Sequence, residues 1–149
     1  MFVGHQKTTL DDKNRMVLPA KMRARVEAES PMRAVVLVPW LDGCLSIYMP
    51  EQWSQMARRI HENPYELAES RRVWRSVFPY AEEAAFDRQW RLLIPKSLLD
   101  RAKITRELVI AGMYDHLEIW SPEAWEKIES ERTLEEDIEK TYERQRSSQ

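Results

Sequence analysis

The chain has 149 residues, of which 43% are hydrophobic and 32% charged, and its formal net charge at pH 7 is −2. This composition is typical of a compact globular protein and argues against a largely disordered chain. No apolar run approaches the roughly 20 residues that cross a bilayer, and no signal-peptide core follows the N-terminus, so we expect a cytoplasmic protein with no membrane partner.

The first predicted elements are strands. Arg15–Pro19 and Val35–Pro39 are short apolar runs that end in proline, and both patterns predict buried strands. Leu45–Tyr48 alternates in polarity, and it follows Trp40–Gly43, whose Asp-Gly pair indicates a turn. The second and third strands are therefore expected to pair as a hairpin. Between them, Cys44 is the single cysteine, which excludes an internal disulfide and a cysteine-cluster metal site, and we interpret it as a small buried residue.

Helices are predicted between and after the strands. Because proline is favoured in the first helical turn, helices are expected to begin at Pro50 and at Pro122, the latter capped by Ser121. Asn63 followed by Pro64 predicts a further helix start with Asn63 as the cap. The apolar stripe expected for this helix consists of Leu67, Trp74, Val77 and Phe78.

The C-terminal part is more charged. Glu123–Gln149 contains nine carboxylates and five bases, and its remaining apolar residues recur at a spacing of four, as Leu134, Ile138 and Tyr142. This thin stripe indicates either a helix that leans on a neighbour or a partly disordered tail, and we favour a frayed helix.

The chain contains one unit twice. Leu10–Lys21 returns as Phe86–Ser97, each copy reading apolar, Asp, three variable residues, Arg, three apolar residues, Pro. Leu45–Trp53 returns as Leu117–Trp125. The hairpin is expected to repeat as Leu108–Ala111, a turn around Tyr114–Asp115, and Leu117–Trp120. The offset falls from 76 to 72 residues, so the first copy has four extra residues, which we expect in the Glu27–Arg33 connection. Because a unit of about 45 residues is too small to fold alone, the copies are expected to share a core, with their strands interleaved about a pseudo-twofold axis.

Charge is segregated along the repeat. Met1–Val26 and Asp87–Arg106 each contain six bases and two acids, a net charge of +4, while the tail is acidic. Because the local field matters more than net charge for phosphate binding, two basic patches are predicted, with ordinary solvated faces as the alternative.

The repeated Asp-x-x-x-Arg pattern is the candidate binding signature. Arginine presents a planar fork of donors that suits phosphate or the O6 and N7 edge of guanine. The aspartate either orients that guanidinium or holds the turn, and an ion pair that merely closes a hairpin is the alternative. Lys7 and Lys13 favour phosphate binding in the first copy, while Trp90 favours packing or stacking in the second.

Catalysis has little support in the sequence. His5, His61 and His116 are isolated from one another, and three glycines cannot supply a glycine-rich phosphate loop. We therefore expect no enzyme activity, no cofactor, no metal and no small-molecule substrate.

The motifs just described, together with Met1–Gly4 and Leu117–Trp120, resemble the bacterial MraZ family from Met1 to about Trp125. The resemblance implies an α+β fold with a mainly β core, built of tandem pseudo-twofold SpoVT-AbrB swapped-hairpin half-barrels with connecting helices. The implied domains are 7–54 and 83–126, with a helical connector at 55–82 and a charged tail at 127–149.

The resemblance also implies a transcriptional regulator of the division and cell-wall gene cluster, associated with the nucleoid. It would bind direct repeats in double-stranded DNA upstream of its own operon as a ring of identical subunits, in which avidity supplements a weak single contact. The implied DNA-binding residues are Arg15 as the main contact with Asp11, Lys7, Lys13 and Asn14, and Asp87, Arg88 and Arg91 in the second copy.

This chain departs from the family where glycine commonly precedes each signature arginine. Asn14 tolerates the left-handed backbone, but the bulk of Trp90 predicts a different turn and a mainly structural second copy. The alternative to DNA binding is a non-catalytic interaction module or antitoxin-like member of the same superfamily, which would use the apolar stripe of the tail.

Overall fold

The computed structural model describes residues 1–149 as two similar units joined by helices. The first unit consists of β1 (His5–Thr9), β2 (Arg15–Val17), α1 (Ala20–Glu29), β3 (Ala34–Pro39) and β4 (Leu45–Tyr48). The connector consists of α2 (Pro50–His61) and α3 (Ala68–Val77). The second unit and the tail consist of β5 (Glu82–Ala85), β6 (Arg91–Leu93), α4 (Lys96–Arg101), β7 (Glu107–Gly112), β8 (His116–Trp120), α5 (Pro122–Ser130) and α6 (Leu134–Ser147).

The two units exchange strands. A six-stranded antiparallel sheet has the order β1-β7-β8-β4-β3-β5, so the first strand of each unit pairs with the third strand of the other. β2 and β6 pair with each other as a separate antiparallel ribbon. The strand order therefore confirms that the strands of the two units are interleaved. The structure is α+β with a mostly antiparallel core.

The shared core lies between the ribbon and the inner face of the six-stranded sheet. It contains residues of both units, such as Leu37 and Ile47 from the first and Leu108 and Ile119 from the second. The outer face of the sheet is covered by α2 and α3 around Tyr48, and by α5 around Val109 and Trp120. Neither unit has a core of its own, which agrees with the size argument made from the repeat.

Most of the predicted elements are present. Both hairpins form, and Ser121 caps α5 by accepting a hydrogen bond from the backbone N–H of Ala124 at 3.1 Å. Cys44 is buried, as expected. α6 forms a helix around the predicted stripe, and all of its residues are exposed. No helix combines the length and the apolar character that a membrane span requires.

Three of the four extra residues of the first unit lie in a helix, contrary to our expectation, and the fourth lies in the turn between β3 and β4. α1 has 10 residues and α4 has 6, so the insertion extends a helix by about one turn. The added turn contains Val26, whose side chain is fully buried in the shared core. An insertion that continues the helix keeps its backbone hydrogen bonds and gains this apolar contact.

The predicted start of the second connector helix was also wrong. α3 begins at Ala68, and Asn63 caps the end of α2 instead, because its side-chain amide donates to the carbonyl oxygens of Arg59 and Ile60 at 3.2 Å each. Leu67 lies outside the apolar stripe with half of its surface exposed. Asparagine satisfies helix ends of either polarity, so the sequence pattern alone did not distinguish a C-terminal from an N-terminal cap.

Candidate nucleic-acid interface

The β2–β6 ribbon brings the two signature arginines onto one surface. Met16 and Leu92 pair at its centre and point into the core, where neither is exposed. Because strand side chains alternate, the residues on either side of them point outward. That outer face consists of Arg15 opposite Leu93 and Val17 opposite Arg91.

The two arginines are diagonal neighbours on this face. Residues in this relation across an antiparallel pair are about 7–8 Å apart. Val17 and Leu93, both exposed, fill the other diagonal. The two signature arginines therefore lie on one surface, one from each unit, with an exposed apolar pair beside them.

The first signature turn is held by Asp11. Its Oδ1 accepts hydrogen bonds from the backbone N–H groups of Lys13 and Arg15, each at 2.9 Å. Its Oδ2 accepts from Nε of Arg15 at 2.7 Å. The aspartate thus performs both roles considered in the sequence analysis, because one oxygen shapes the turn while the other orients the guanidinium.

The second turn repeats this geometry in detail. Oδ1 of Asp87 accepts from the backbone N–H groups of Gln89 and Arg91 at 2.9 Å each, and Oδ2 accepts from Nε of Arg91 at 2.7 Å. The expectation that Trp90 implies a different turn was wrong. Trp90 has φ 61° and Asn14 has φ 59°, so both adopt the same left-handed backbone. Burial of the indole against Phe86, at a ring-centre distance of 5.7 Å, stabilises a conformation that a bulky residue rarely adopts.

Both aspartates are held as carboxylates. The backbone N–H of Arg15 is the main cause that lowers the pKa of Asp11. Burial opposes this shift, while the Arg15 side chain and the backbone N–H of Lys13 lower the pKa further. The pKa of Asp87 is lowered in the same way by Arg91. Each turn therefore keeps its anion, and with it the orientation of its arginine, to lower pH than an ordinary aspartate would.

The guanidinium groups keep donors for a ligand. Asp11 engages only Nε of Arg15, and the two terminal nitrogens make no hydrogen bond within the chain. Arg91 has one further contact, from Nη2 to the side-chain oxygen of Gln89 at 3.3 Å. About a quarter to a third of each side chain is exposed, 27% for Arg15 and 34% for Arg91. Each arginine is thus fixed at its inner nitrogen and open at its outer edge.

The other predicted contact residues do not all lie on the same side of the molecule as the ribbon. Lys13 and Arg88 are exposed within the two turns. Lys7 pairs with Val109, so its side chain points to the outer face of the six-stranded sheet, away from the face on which the ribbon packs. In the second unit, Glu83 pairs with Val36 on that same outer face. The second unit therefore has a negative charge at the strand position where the first unit has the positive charge of Lys7.

Several bases counted as basic patches have structural roles instead. Nε of Arg23 donates to the carbonyl oxygen of Leu18 at 2.9 Å. Arg25 donates to the carbonyl oxygen of Tyr114 and lies 4.9 Å from the ring centre of Phe2. These contacts fix α1 to its surroundings, which the count of charges along the sequence did not reveal.

Sequence reasoning missed one residue next to the site. Arg33, from the loop before β3, lies with its guanidinium carbon 3.7 Å from the ring centre of Trp90. No pattern in the sequence connects the two, because they belong to different units and lie 57 positions apart in the chain.

A second polar cluster lies on the outer face of the sheet at His116. Its Nδ1 is 2.7 Å from a carboxylate oxygen of Asp115, and its ring stacks on Tyr48 at 4.7 Å between centres. Burial would lower the pKa of His116, but the contacts with Glu118 and Asp115 outweigh that effect and raise it. No group of three or more His, Cys, Asp or Glu side chains is arranged to hold a metal ion.

Comparison with known proteins places this architecture in a family. The family model described as "MraZ protein, putative antitoxin-like" matches residues 1–76 and again residues 77–147, one match for each unit. A protein of Moorella thermoacetica named "Transcriptional regulator MraZ" is 34% identical over 127 residues, which cover 85% of each chain. Proteins of the same name from Roseiflexus castenholzii and Clostridium tetani are each 35% identical, over 86% and 85% of this chain and 86% of their own length. The two matches along one chain, the relatives that cover most of its length and the duplicated Asp-x-x-x-Arg turn show that this chain belongs to the MraZ family.

Proposed function

We propose that this chain is a non-enzymatic, DNA-binding transcriptional regulator. The observation that carries the proposal is the outer face of the β2–β6 ribbon, where Arg15 and Arg91 are held by aspartates. Both terminal nitrogens of Arg15 and Nη1 of Arg91 make no hydrogen bond within the chain. The relatives' name, which describes regulators of transcription, supports it.

A two-stranded antiparallel ribbon such as β2–β6 is one of the elements that can enter DNA. The major groove of B-DNA admits a two-stranded β-ribbon, and an arginine fork pairs with O6 and N7 of guanine or with phosphate. Orienting the side chain in advance lowers the entropy that binding would otherwise cost. Val17 and Leu93 between the arginines offer apolar contact to a thymine methyl group.

The remaining predicted contacts surround this centre. Lys13 and Arg88 in the turns are proposed to bind phosphates, while Asp11, Asn14 and Asp87 shape the turns. Lys7 points away from the ribbon's side of the sheet, so we assign it to a flanking phosphate at most.

The finer features belong to the same proposal. The strand exchange between units is consistent with SpoVT-AbrB swapped-hairpin half-barrels in the domains 7–54 and 83–126. We propose that subunits form a ring whose ribbons engage successive direct repeats upstream of the chain's own operon in the division and cell-wall cluster. Such a ring would convert a weak contact per subunit into avidity, in the cytoplasm and on the nucleoid.

The test is a binding titration with the DNA immediately upstream of the gene that encodes this chain, beside a scrambled duplex. Arg15→Ala should weaken binding to the native duplex by roughly 5- to 150-fold, the loss of one bidentate base contact. Arg15→Lys, which keeps the charge without the fork, should lose most of the preference for the native sequence. Arg132→Ala, an exposed arginine outside both turns, is the matched control and should bind normally.

Salt dependence provides an independent check. Binding through phosphates should weaken steeply with rising salt, because counterions are released on binding. If the wild-type chain does not prefer the native duplex, or if Arg15→Ala keeps its affinity with an unchanged oligomeric mass, the proposal is wrong.

One observation favours a second candidate, a protein-interaction or antitoxin-like module. α6 presents Leu134, Ile138 and Tyr142 to solvent, and each is at least 43% exposed. A chain that ends at Ser130 should then lose function while Arg15→Ala retains it. The DNA-binding proposal predicts the reverse in the titration above.

A further inference from the structure

Arg33 makes a set of contacts that joins the two units at the second signature turn. Its Nη1 donates to the carbonyl oxygen of Asp87 at 2.9 Å and to that of Arg88 at 3.4 Å. Its Nη2 donates to Oε1 of Glu27 at 3.0 Å, and its guanidinium carbon is 3.7 Å from the ring centre of Trp90. One side chain of the first unit therefore contacts both the backbone and the buried ring of the second unit's turn.

The turn has a reason to require this contact. A left-handed backbone brings Cβ close to the following carbonyl oxygen, so residues other than glycine, asparagine and aspartate rarely adopt it. Trp90 nevertheless adopts φ 61°, and its N–H donates to the carbonyl oxygen of Asp87 at 3.0 Å to close the turn. Arg33 binds that same carbonyl oxygen, while stacking of its guanidinium covers the ring that must stay buried.

The first turn lacks an equivalent contact. Arg106 occupies the position of Arg33 in the other unit, since its carbonyl oxygen accepts from Leu10 N at 2.8 Å just as that of Arg33 accepts from Phe86 N at 3.0 Å. Its side chain is exposed and makes no hydrogen bond, ion pair or ring contact within the chain. The turn it adjoins contains Asn14, which tolerates the left-handed backbone without help.

We propose that Arg33 is a positioning residue for the second half of the DNA site. It holds the turn around Trp90 so that Asp87 can orient Arg91 on the outer face of the ribbon. The inference rests on the proposed function, and it makes the second unit's contact depend on a residue of the first. It also assigns Arg91 a part in binding, although Trp90 stands where the family commonly has glycine.

The test uses Arg33→Lys, which keeps the positive charge but loses the planar stack and the fork, so that an effect of simple electrostatics is excluded. Arg106→Lys is the matched control at the equivalent position. Titration of both variants against the native upstream duplex should show about a fivefold or greater loss for Arg33→Lys and none for Arg106→Lys. Thermal unfolding without DNA should show that both variants remain folded at the titration temperature.

Two further measurements separate positioning from general destabilisation. In a Trp90→Gly chain, whose glycine adopts the turn freely, Arg33→Lys should cause no additional loss of affinity, so the two changes are not additive. Hydrogen exchange without DNA should become faster in residues 86–91 of Arg33→Lys, where backbone amides of the turn bond to Asp87, and stay unchanged in residues 10–15.

Each outcome decides the inference. Normal affinity of Arg33→Lys, equal losses in both lysine variants, or multiplicative losses in the Trp90→Gly background would each overturn it and leave the proposed function standing. Unchanged exchange in residues 86–91 would also overturn it. A wild-type chain that does not prefer the native duplex would overturn the proposed function and this inference together.

Discussion

Gly112→Ala should detach the N-terminal segment from the sheet. A Cβ added at Gly112 would lie 2.5 Å from the backbone nitrogen of Val3 and 2.6 Å from the carbonyl carbon of Phe2. Distances below 3.0 Å to backbone atoms cannot be relieved by rotating a side chain, so residues 1–4 must move. Three backbone hydrogen bonds of 2.8 Å depend on this close approach, two between Phe2 and Tyr114 and one from Gly112 N to the carbonyl oxygen of Gly4.

The magnitude follows from what the segment contributes. Phe2 is 1% exposed, and burial of a phenylalanine side chain contributes about 1.5–3 kcal/mol. Each of the three hydrogen bonds adds a net contribution of about 0.5–1.5 kcal/mol, which raises the largest possible loss of stability. The released segment regains conformational entropy, and this gain offsets part of the loss. We expect a loss of about 3 kcal/mol in the free energy of unfolding, which for a chain of this size lowers Tm by roughly 6–12 °C.

Thermal and urea unfolding of three variants tests this reasoning. Gly43→Ala is the control for backbone strain, because Gly43 has φ +81° with no atom within 4 Å of an added Cβ, and it should cost only about 1–2 kcal/mol. Phe2→Ala should resemble Gly112→Ala, and the double variant should be little worse than either single one, since both remove the same contacts. A Gly112→Ala chain within 1 kcal/mol of wild type, or fully additive losses, would refute the proposed detachment.

Three further predictions concern other parts of the chain. Because the pKa of His116 is raised in the folded chain, its contacts with Asp115 and Glu118 stabilise the fold fully below the unfolded pKa of about 6.5. This contribution is lost as pH rises through the folded pKa. Urea unfolding across that pH range should show the decline in wild type and a flatter profile in His116→Gln. Burial raises the pKa of Cys44 to about 12, so iodoacetamide near pH 8 should modify it only after unfolding, and rapid native modification would contradict its placement. Met16→Ala should cost about 2–5 kcal/mol by leaving a cavity beneath the ribbon, whereas the same substitution at exposed Val17 should cost little; equal losses in Tm would contradict the assigned faces.

The repeat was sufficient to predict the architecture in outline. Two copies of a unit too small to fold alone require a shared core, and the strands at Arg15–Val17, Ala34–Pro39 and Leu45–Tyr48 followed from local apolar runs and turn residues. The duplicated Asp-x-x-x-Arg pattern also identified the turn that the structure contains. The strands and the turns depend on interactions between residues close in sequence, so a short stretch of sequence is enough to predict them.

The errors arose where a packing or hydrogen-bond contact that the sequence pattern does not specify decided the conformation. The sequence of the second turn argues against a left-handed Trp90, and only packing against Phe86 and Arg33 explains why the indole adopts it. Asn63 could have capped either helix end, and the position of the preceding helix decided which.

By itself, the sequence determined that the chain is a duplicated unit with an aspartate and an arginine held in each copy. Only the tertiary structure decided that the two arginines lie on one face, because their relation depends on the register of β2 against β6. It also decided that Lys7 points away from that face, because of its register against β7. Strand register is set by which side chains fill a core shared by both units, and no stretch within a single unit contains that information.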